Sequence, residues 1–181
     1  MKFETTALQD VLLIQPTLFG DERGFFMEVW NERSFRDAGL DLHFVQDNHS
    51  KSRRGTLRGL HYQREQPQGK LVRVLSGAVF DVAVDLRAQS PTFGRWLGVE
   101  LSAQNKHMLW IPPGFAHGFY VLSPEAEFLY KCTEFYRPQF EVTLRWDDPT
   151  LAIRWPLCPG ETPLVSPKDA AGIDFADAPT F

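Results

Sequence analysis

The chain has 181 residues, which is long enough for one domain with a substantial hydrophobic core. Its net charge of −4 predicts no general binding to nucleic acid, although local basic groups can still hold a small anion. No apolar run approaches the roughly 20 residues of a membrane-spanning helix, so we expect no association with a membrane.

The first residues and the two cysteines bear on where the protein works. Segment 1–10 lacks the apolar middle of a signal peptide, and the apolar run at 11–14 is too short to replace it. Cys132 and Cys158 have no spacing typical of a metal motif, and we expect both to be free thiols. These features favour the reducing cytoplasm.

Short apolar runs between scattered glycines and prolines are typical of an all-β domain. We predict strands, in chain order, at 25–30, 43–47, 70–75, 78–87, 95–101, 107–111, 117–122 and 127–136. Segment 31–40 predicts a short helix that Asn31 caps and Gly39 ends. After Trp155 we expect an irregular tail wrapped on the surface. Strands at this spacing indicate a sandwich or a barrel.

The clearest predicted strand, 78–87, alternates between two faces. One face carries Ala78, Phe80, Val82, Val84 and Leu86. The other face carries Asp81, Ala83 and Asp85. This period of two is the pattern of a strand rather than a helix.

Two stretches of the chain resemble the paired motifs of the cupin family of β-barrels. They are residues 58–70 (RGLHYQREQPQGK) and the later run PPGFAH. In metal-binding cupins these motifs supply three histidines and a carboxylate. Here His61 and His117 stand at two of those positions, but Gln63 and Lys70 stand at the other two. An amide is a poor ligand for a transition metal, and a cation repels one. We therefore predict no catalytic metal.

His61 and Lys70 suit proton abstraction beside a carbonyl group. Histidine is a general base that titrates near neutral pH, and lysine can stabilise the oxyanion of the enolate that forms. The alternative is a core histidine bonded to a backbone carbonyl and a lysine that reaches the surface. Strict alternation puts Arg58 and His61 on opposite faces, so both enter one pocket only if Gly59 forms a bulge or the strand begins after Arg58.

Over nearly its whole length the chain resembles the dTDP-4-dehydrorhamnose 3,5-epimerase family. The matching segments are GDERGFFMEVW (20–30), QDNHSKSRRGTLRGLHYQ (46–63), QGKLVRVLSGAVFDVAVDLR (68–87), SPTFGRW (90–96), WIPPGFAHGFYVLS (110–123), FLYKCTEFYRP (128–138) and LVSPKD (164–169). They are long, in order and closely spaced, which a generic cupin would not produce. The resemblance implies a single all-β domain over 1–181, a cupin-type jelly-roll β-barrel with a few short helices.

The resemblance also implies an isomerase that works without a cofactor, as a homodimer, on a dTDP-sugar. The family inverts C3 and C5 of dTDP-4-dehydro-6-deoxy-D-glucose to give dTDP-4-dehydro-L-rhamnose, in dTDP-L-rhamnose biosynthesis. The C4 ketone acidifies the hydrogens on C3 and C5. A base removes one of them, an enolate forms, and an acid returns a proton on the opposite face.

Four catalytic roles follow from the resemblance. The matching residues are His61 as the base, Tyr130 as the acid, Asp169 as the carboxylate that orients the histidine, and Lys70 beside the enolate oxygen. Tyr136 is the alternative acid, and both tyrosines can instead be core aromatics with satisfied hydroxyls. An exposed Asp169 in a loop-like tail is the alternative to the orienting role.

Further positions match residues that hold the substrate in the family. Arg23 and Arg58 match its nucleotide-binding arginines, and a planar guanidinium suits a diphosphate. The other matching positions are Phe26, Glu28, Gln46, Asp47, Asn48, Lys70, His117, Glu141 and Lys168. The alternative is that the two arginines are solvated, as we expect for the basic run Lys51, Arg53 and Arg54.

One departure from the family follows Glu141. The family commonly has an Arg-Gly pair there, but this chain has Val142 and Thr143. The missing glycine predicts a change in the local backbone.

Other functions compete with the double epimerase. They are a 3- or 5-monoepimerase of a related dTDP-4-keto-6-deoxy sugar in antibiotic sugar biosynthesis, a metal-dependent cupin oxygenase or isomerase, and a non-catalytic sugar-nucleotide binding module. Gln63 and Lys70 argue against the metalloenzyme, and a joint acid–base set argues against the binding module. The sequence does not separate double from single epimerisation, because the outcome depends on how the sugar sits between base and acid.

Overall fold

The computed structural model describes residues 1–157 and 160–181. Its strands are β1 (Lys2–Thr5), β2 (Leu12–Gln15), β3 (Leu18–Asp21), β4 (Gly24–Met27), β5 (Gln46–Arg53), β6 (Leu57–Gln63), β7 (Lys70–Ser76), β8 (Ala78–Asp85), β9 (Trp96–Ser102), β10 (Met108–Ile111), β11 (Phe115–Val121), β12 (Glu125–Cys132) and β13 (Glu141–Thr143). Its helices are α1 (Glu32–Asp37) and α2 (Pro167–Ala170), with 3₁₀ turns at Pro138–Phe140 and Phe175–Asp177. No helix in the described ranges is long and apolar enough to cross a membrane.

The strands form two facing antiparallel sheets and one separate hairpin. The six-stranded sheet has the order β1-β2-β10-β7-β12-β5, and the five-stranded sheet has the order β13-β6-β11-β8-β9. Strands β3 and β4 pair only with each other among the described residues. The prediction of an all-β fold with a few short helices is therefore confirmed.

Apolar side chains fill the space between the two sheets. Val72 and Phe128 from the six-stranded sheet pack in one cluster with Val79, Ala83 and Phe119 from the five-stranded sheet. Full burial of such a side chain contributes roughly 1.5–3 kcal/mol to folding. This cluster holds the two sheets face to face and leaves one end of the space between them for polar side chains.

The outer faces of both sheets are covered as well. Helix α1 inserts Phe35 into a cluster with Leu71 and Trp110 on the six-stranded sheet. The five-stranded sheet is covered by the C-terminal segment, which contributes Leu151 and Phe175. Because both faces of each sheet are buried, the sheets are rigid supports for the side chains between them.

Strand β8 confirms the predicted alternation. Val82, Val84 and Leu86 lie in the outer cluster of the five-stranded sheet, whereas Ala83 lies in the cluster between the sheets. Asp81 points to the same inner side as Ala83 and is fully buried. A carboxyl group therefore lies in the core of the barrel.

Several predicted strands have different ends in the structure. The segment predicted at 43–47 is β5, which begins only at Gln46 and continues to Arg53. The segment predicted at 127–136 is β12, which ends at Cys132 because the chain turns away to form a loop. Strand β4 ends at Met27, since the residues up to 30 lead into α1. The predicted list also lacks β1, β2, β3 and β13, which are too short for alternation to reveal them, and the longer β6, which carries His61.

The predicted helix is confirmed but is shorter than 31–40. Asn31 caps α1, because its side-chain oxygen accepts hydrogen bonds from the amides of Arg33 and Ser34 at 3.0 and 3.2 Å. The helix ends at Asp37, and Gly39 follows with φ of +85°, a backbone conformation that favours glycine.

The tail after Trp155 is mostly irregular, as predicted, but it is anchored rather than only laid on the surface. Leu164 exchanges backbone hydrogen bonds with Gly55 and Leu57, and α2 follows. Of the two cysteines, Cys132 is a buried free thiol. Cys158 lies outside the described residues.

Candidate active site

A cavity of about 390 Å³ opens between the two sheets. The five-stranded sheet contributes Arg58, His61, His117 and Glu141 to its walls. The six-stranded sheet contributes Gln46, Asn48, Lys70 and Tyr130. Tyr136 and Lys168 also line it, from the loop after β12 and from α2. The structure therefore brings together most of the residues that the sequence identified.

A bulge in β6 allows Arg58 and His61 to face the same cavity. His61 pairs with His117 of β11, but Arg58 pairs with Phe119, so β6 carries an extra residue at this point. Gly59 lies in the bulge with φ of +110°, and a side chain there would meet the Cα of Gly118 at 2.6 Å. Of the two alternatives from the sequence, the bulge is confirmed.

His61 is bonded to Asp169, which comes from the distant tail. The Nε2–H of His61 donates to Oδ1 of Asp169 at 2.5 Å. The tail reaches β6 through the bonds of Leu164, and Ser166 then caps α2 by accepting the amide of Asp169 at 3.1 Å. Asp169 is buried rather than exposed, so the alternative of a solvated tail residue is wrong.

The charge state of Asp169 determines which nitrogen of His61 is available. Burial alone would raise the pKa of this carboxyl, but its interactions with His61 and with the side chain of Ser166 lower it more, so its pKa lies below the ordinary value. An ionised carboxylate only accepts hydrogen bonds. The proton therefore sits on Nε2, and a neutral His61 carries its lone pair on Nδ1.

Tyr130 faces the cavity from the opposite sheet. Its ring lies beside Phe128 at 6.1 Å between centroids, and burial raises the pKa of its hydroxyl to about 12. The hydroxyl therefore keeps its proton at neutral pH. Tyr136, the alternative acid, is about half exposed at the rim, where its hydroxyl donates to Oε2 of Glu141 at 2.9 Å.

Lys70 is buried at the inner end of the cavity, so the alternative of a lysine that reaches the surface is wrong. Its ammonium group donates to the backbone carbonyl of His61 at a long 3.4 Å. Burial lowers the pKa of Lys70, whereas the neighbouring Cys132 and Glu141 raise it. A weakly bonded ammonium group beside the histidine can accept a developing oxyanion.

Gln63 holds a loop in place. Its amide nitrogen donates to the carbonyls of Gln66 and Phe135, and its oxygen accepts the amide of Arg137 at 2.6 Å. Within 1–157 and 160–181, no three His, Cys, Asp or Glu side chains are grouped as a metal site requires. The amide at the ligand position of a metal-binding cupin thus has a full set of backbone partners.

Glu141 and Lys168 pair with each other at the rim. The Nζ of Lys168 lies 2.8 Å from Oε2 of Glu141, the oxygen that also accepts from Tyr136. Val142 and Thr143, where the chain departs from the family, pair regularly with Tyr62 and His61. The departure therefore leaves Glu141 at the cavity.

Arg58 and two amides of β5 line the mouth. The guanidinium of Arg58 donates to the hydroxyl of Ser52 at 3.0 Å and is otherwise exposed. Gln46 donates to Asn48 at 2.9 Å, and its oxygen accepts the amide of Tyr136. These groups form a polar entrance to the cavity. Among the described residues, the guanidinium of Arg58 has no acidic partner there.

Four predicted substrate-binding residues lie away from the cavity. Arg23 and Phe26 are on the β3–β4 hairpin, around a separate groove, and Glu28 accepts from Asn31. Asp47 points outwards from β5 and pairs with Lys131 at 3.0 Å. Within one chain these four side chains therefore do not reach the residues that line the cavity.

The basic run Lys51, Arg53 and Arg54 is solvent-exposed, as predicted, although its first two residues belong to β5 and not to a loop.

Asp81 is a residue at this site that the sequence predictions missed. Its Oδ2 accepts the Nε2–H of His117 at 2.9 Å, so the cavity has a second histidine–aspartate pair. The signal was present in the alternation of β8, which puts this carboxyl on the inner face beside Ala83. Nothing in the local sequence indicated its partner.

This arrangement suits inversion at carbon. A histidine on β6 and a tyrosine on β12 stand on opposite walls of one cavity, and an ammonium group lies at its inner end. A planar enolate between the walls would lose a proton to one side and gain a proton from the other.

Comparisons with known proteins agree on one family. The family model described as dTDP-4-dehydrorhamnose 3,5-epimerase matches residues 5–177. The chain is 59% identical over 182 residues to the dTDP-4-dehydrorhamnose 3,5-epimerase of Pseudomonas aeruginosa, which covers 100% of this chain and 99% of the relative.

Solved structures share the fold. An epimerase from Legionella pneumophila in complex with dTDP-4-keto-L-rhamnose has a TM-score of 0.92 and 54% identity, covering 96% of this chain and 92% of its own. NovW of Streptomyces spheroides, a 4-keto-6-deoxy sugar epimerase from the novobiocin cluster, has a TM-score of 0.91 and 36% identity, covering 97% and 88%. These matches confirm the predicted cupin-type jelly roll.

Proposed function

The chain belongs to the dTDP-4-dehydrorhamnose 3,5-epimerase family, and we propose that it inverts C3 and C5 of dTDP-4-dehydro-6-deoxy-D-glucose with His61 as base and Tyr130 as acid. It is an isomerase of dTDP-rhamnose biosynthesis. The single observation that carries the proposed mechanism is the placement of these two side chains on opposite walls of one cavity.

Each inversion takes two proton transfers. Nδ1 of His61 takes the proton from carbon, the C–H electrons form a C=C bond, and the C4 carbonyl becomes an enolate oxygen. The Tyr130 hydroxyl then gives its proton to the opposite face of that carbon, and the carbonyl re-forms. His61 returns its proton to solvent and Tyr130 regains one, so the enzyme ends as it began.

Two further groups support the enolate and the base. The Lys70 ammonium lies beside His61, where it compensates the charge on the enolate oxygen. Asp169 holds the Nε2–H of His61, which orients the ring and stabilises the imidazolium that forms.

We propose that the reaction needs no metal and no cofactor. The buried ammonium of Lys70 occupies a position that supplies a ligand in metal-binding cupins, and it would repel a cation. The polarisation that a metal would provide is assigned to this ammonium and its neighbours.

For the nucleotide we propose the residues at the mouth and at the rim of the cavity. Arg58 offers a guanidinium for the diphosphate, and Gln46 and Asn48 offer amides for polar groups of the substrate. Glu141 and Lys168, which bond each other here, are proposed to contact the substrate at the rim.

The active unit is proposed to be a homodimer, which would bring Arg23, Phe26 and Glu28 to a cavity. The hairpin that carries Arg23 and Phe26 exposes three phenylalanines, with Phe26 at 69% exposure. Strand β5 is an edge strand that lines the cavity and has one unpaired side within the described residues. A partner's hairpin laid on this edge would place an arginine and an aromatic ring at the mouth.

Two broader proposals complete the assignment. We propose that residues 1–181 act as one domain, because the N-terminal strands and the tail pack on the same pair of sheets. A cytoplasmic location is consistent with the free thiol of Cys132.

The direct test is proton NMR in heavy water with dTDP-4-dehydro-6-deoxy-D-glucose, with and without a chelator. We expect deuterium and inversion at both C3 and C5, at the same rate in both samples. Inversion at only one carbon would favour the monoepimerase activity, for which the similarity to NovW is the supporting observation. No exchange at either carbon would contradict the proposed function, and loss of exchange with chelator would contradict the metal-free mechanism.

A further inference from the structure

Asp81 is a fully buried carboxyl group that the proposed mechanism does not use. Its Oδ2 accepts the Nε2–H of His117, whose ring lines the cavity. Its Oδ1 is the one buried side-chain polar atom without a hydrogen-bond partner among residues 1–157 and 160–181. Such an atom costs stability, so its presence calls for a functional explanation.

We propose that Asp81 is a positioning residue of the active site. It fixes the ring of His117, and it keeps the ammonium group of Lys70 charged at the end of the cavity where the C4 carbonyl of the substrate would lie. The proposal rests on the epimerase function and adds to it a second histidine–aspartate pair. In this arrangement His61 and Asp169 act at carbon, Lys70 acts at the carbonyl oxygen, and Asp81 holds His117 and the charge on Lys70 in place.

The geometry around His117 supports the first part. Its ring stacks on Phe128 at 6.0 Å between centroids with planes 25° apart, and the bond to Asp81 fixes its rotation. A carboxylate accepts and does not donate, so it selects the tautomer with the proton on Nε2. His117 is thereby held in one orientation next to His61, its register partner on β6.

The charges around Lys70 support the second part. The ammonium is buried, and burial favours its neutral form. The groups that face it from the surrounding elements are Cys132 on β12, Glu141 on β13, Asp81 on β8 and Lys168 on α2. Glu141 is already paired with Lys168 and Tyr136, and Cys132 is a buried thiol whose pKa is raised. Asp81 is therefore the carboxylate near Lys70 whose second oxygen has no competing partner.

The test compares Asp81→Asn with Asp85→Asn in the full-length enzyme. Both aspartates are fully buried on β8, but Asp81 bonds His117 of the cavity wall, whereas Asp85 bonds Arg87, Ser90 and Thr92, which do not line the cavity. We expect Asp81→Asn to lower kcat roughly a hundredfold with little change in KM. The alkaline limb of its kcat profile should move to lower pH, because Lys70 loses a negative neighbour and gives up its proton more easily.

The control should separate positioning from stability. We expect Asp85→Asn to unfold at a lower temperature than the wild-type enzyme and to keep its pH profile. A folded Asp81→Asn enzyme with wild-type kcat and an unshifted alkaline limb would overturn the Asp81 proposal while leaving the epimerase function intact. No exchange by the wild-type enzyme would overturn the proposed function and the catalytic role of Asp81 together.

A second measurement works even if Asp81→Asn does not fold. In wild-type protein with ¹⁵N-labelled histidine, long-range ¹H–¹⁵N spectra report which ring nitrogen of His117 carries the proton, and His117→Gln assigns the signals. We expect the proton on Nε2 and a lone pair on Nδ1. A neutral His117 with its proton on Nδ1 would overturn the proposal.

Discussion

His61 and Tyr130 have surroundings that push them towards opposite roles. Asp169 accepts the Nε2–H of His61 and leaves a lone pair on Nδ1. Burial raises the pKa of Tyr130 to about 12, so its hydroxyl stays protonated across the neutral range. A proton acceptor and a proton donor therefore coexist at one pH, as inversion requires.

The variants His61→Ala and Tyr130→Phe should behave differently. Without the base, exchange at both C3 and C5 should be lost, because no group remains to form the enolate. Without the acid, some exchange should persist, since the base can return a solvent-derived deuteron to the face it came from, but inversion should fall. Each change should cost about a hundred- to ten-thousand-fold in the inversion rate, measured by NMR in heavy water.

Tyr136→Phe is the matched control for Tyr130→Phe. It removes the same atom from a tyrosine of the same cavity, but one whose hydroxyl donates to Glu141 at the rim. We expect a much smaller loss of inversion than in Tyr130→Phe. Near-normal activity of His61→Ala, or a larger loss in Tyr136→Phe than in Tyr130→Phe, would contradict the assigned roles.

Among the secondary-structure elements, β6 determines the shape of the site. Its bulge lets Arg58 and His61 face one cavity, although they are an odd number of positions apart. The bulge depends on the close approach of Gly59 to Gly118 on β11, where both strands lack a side chain. A glycine in each strand therefore sets the spacing between His61 and Arg58.

Gly59→Ala should destabilise the protein and displace His61. Its new Cβ would lie 2.6 Å from both the Cα of Gly118 and the carbonyl oxygen of His117, which forces backbone movement. We expect a loss of more than about 2 kcal/mol in the free energy of unfolding by urea. We also expect a fall in kcat in the fraction that remains folded, because the base is misplaced.

Gly39→Ala is the control that separates the effect of this close contact from the effect of a strained backbone conformation. Gly39 also has a positive φ, +85°, but no atom lies within 4 Å of a Cβ placed there. Its replacement should cost about 1 kcal/mol and leave kcat unchanged. If Gly59→Ala were no more harmful than Gly39→Ala, the contact between β6 and β11 would not be what holds the bulge.

In the whole molecule, the hairpin of β3 and β4 is separated from the cavity. It carries Arg23 and Phe26 around a groove of its own, and Arg23 pairs there with Asp21. Its exposed aromatic rings are an unusual surface for an isolated chain. The proposed dimer accounts for both features, because each hairpin would complete the cavity of the partner.

A mixture of two inactive variants should regain activity if the sites are shared. One variant is His61→Ala with an intact hairpin, and the other carries Arg23→Ala and Phe26→Ala with an intact His61. After refolding an equal mixture, half of the dimers are mixed and each has one complete site, so about a quarter of the wild-type sites should return. The turnover assay of the mixture measures this recovery.

The control mixture combines His61→Ala with Tyr130→Phe. Both changes lie in the cavity of their own chain, so no mixed dimer has a complete site and no recovery is expected. Recovery in this control, or none in the first mixture while sedimentation shows a dimer, would contradict the sharing of sites between subunits.

Much of the fold and of the site was predictable from short stretches of sequence. The alternation in 78–87 predicted β8, and Asn31 predicted the start of α1, because both signals act within a few residues. His61, Lys70 and Tyr130 were found because each lies inside a continuous motif. The predicted ends of β5 and β12 were wrong, since a strand ends where its partner strand does and the partner is elsewhere in the chain.

The sequence by itself determined the chemical inventory of this protein: an all-β pattern, a histidine with a nearby lysine, and the residues of one enzyme family. The tertiary structure alone decided which of them meet. It placed Asp169 on His61 across 108 positions of chain, paired Asp81 with His117, and left Arg23 and Asp47 outside the cavity. The physical reason is that periodicity encodes only which side of a strand a residue takes. The partner it meets there depends on bulges, strand pairing and burial, which arise from contacts between distant segments.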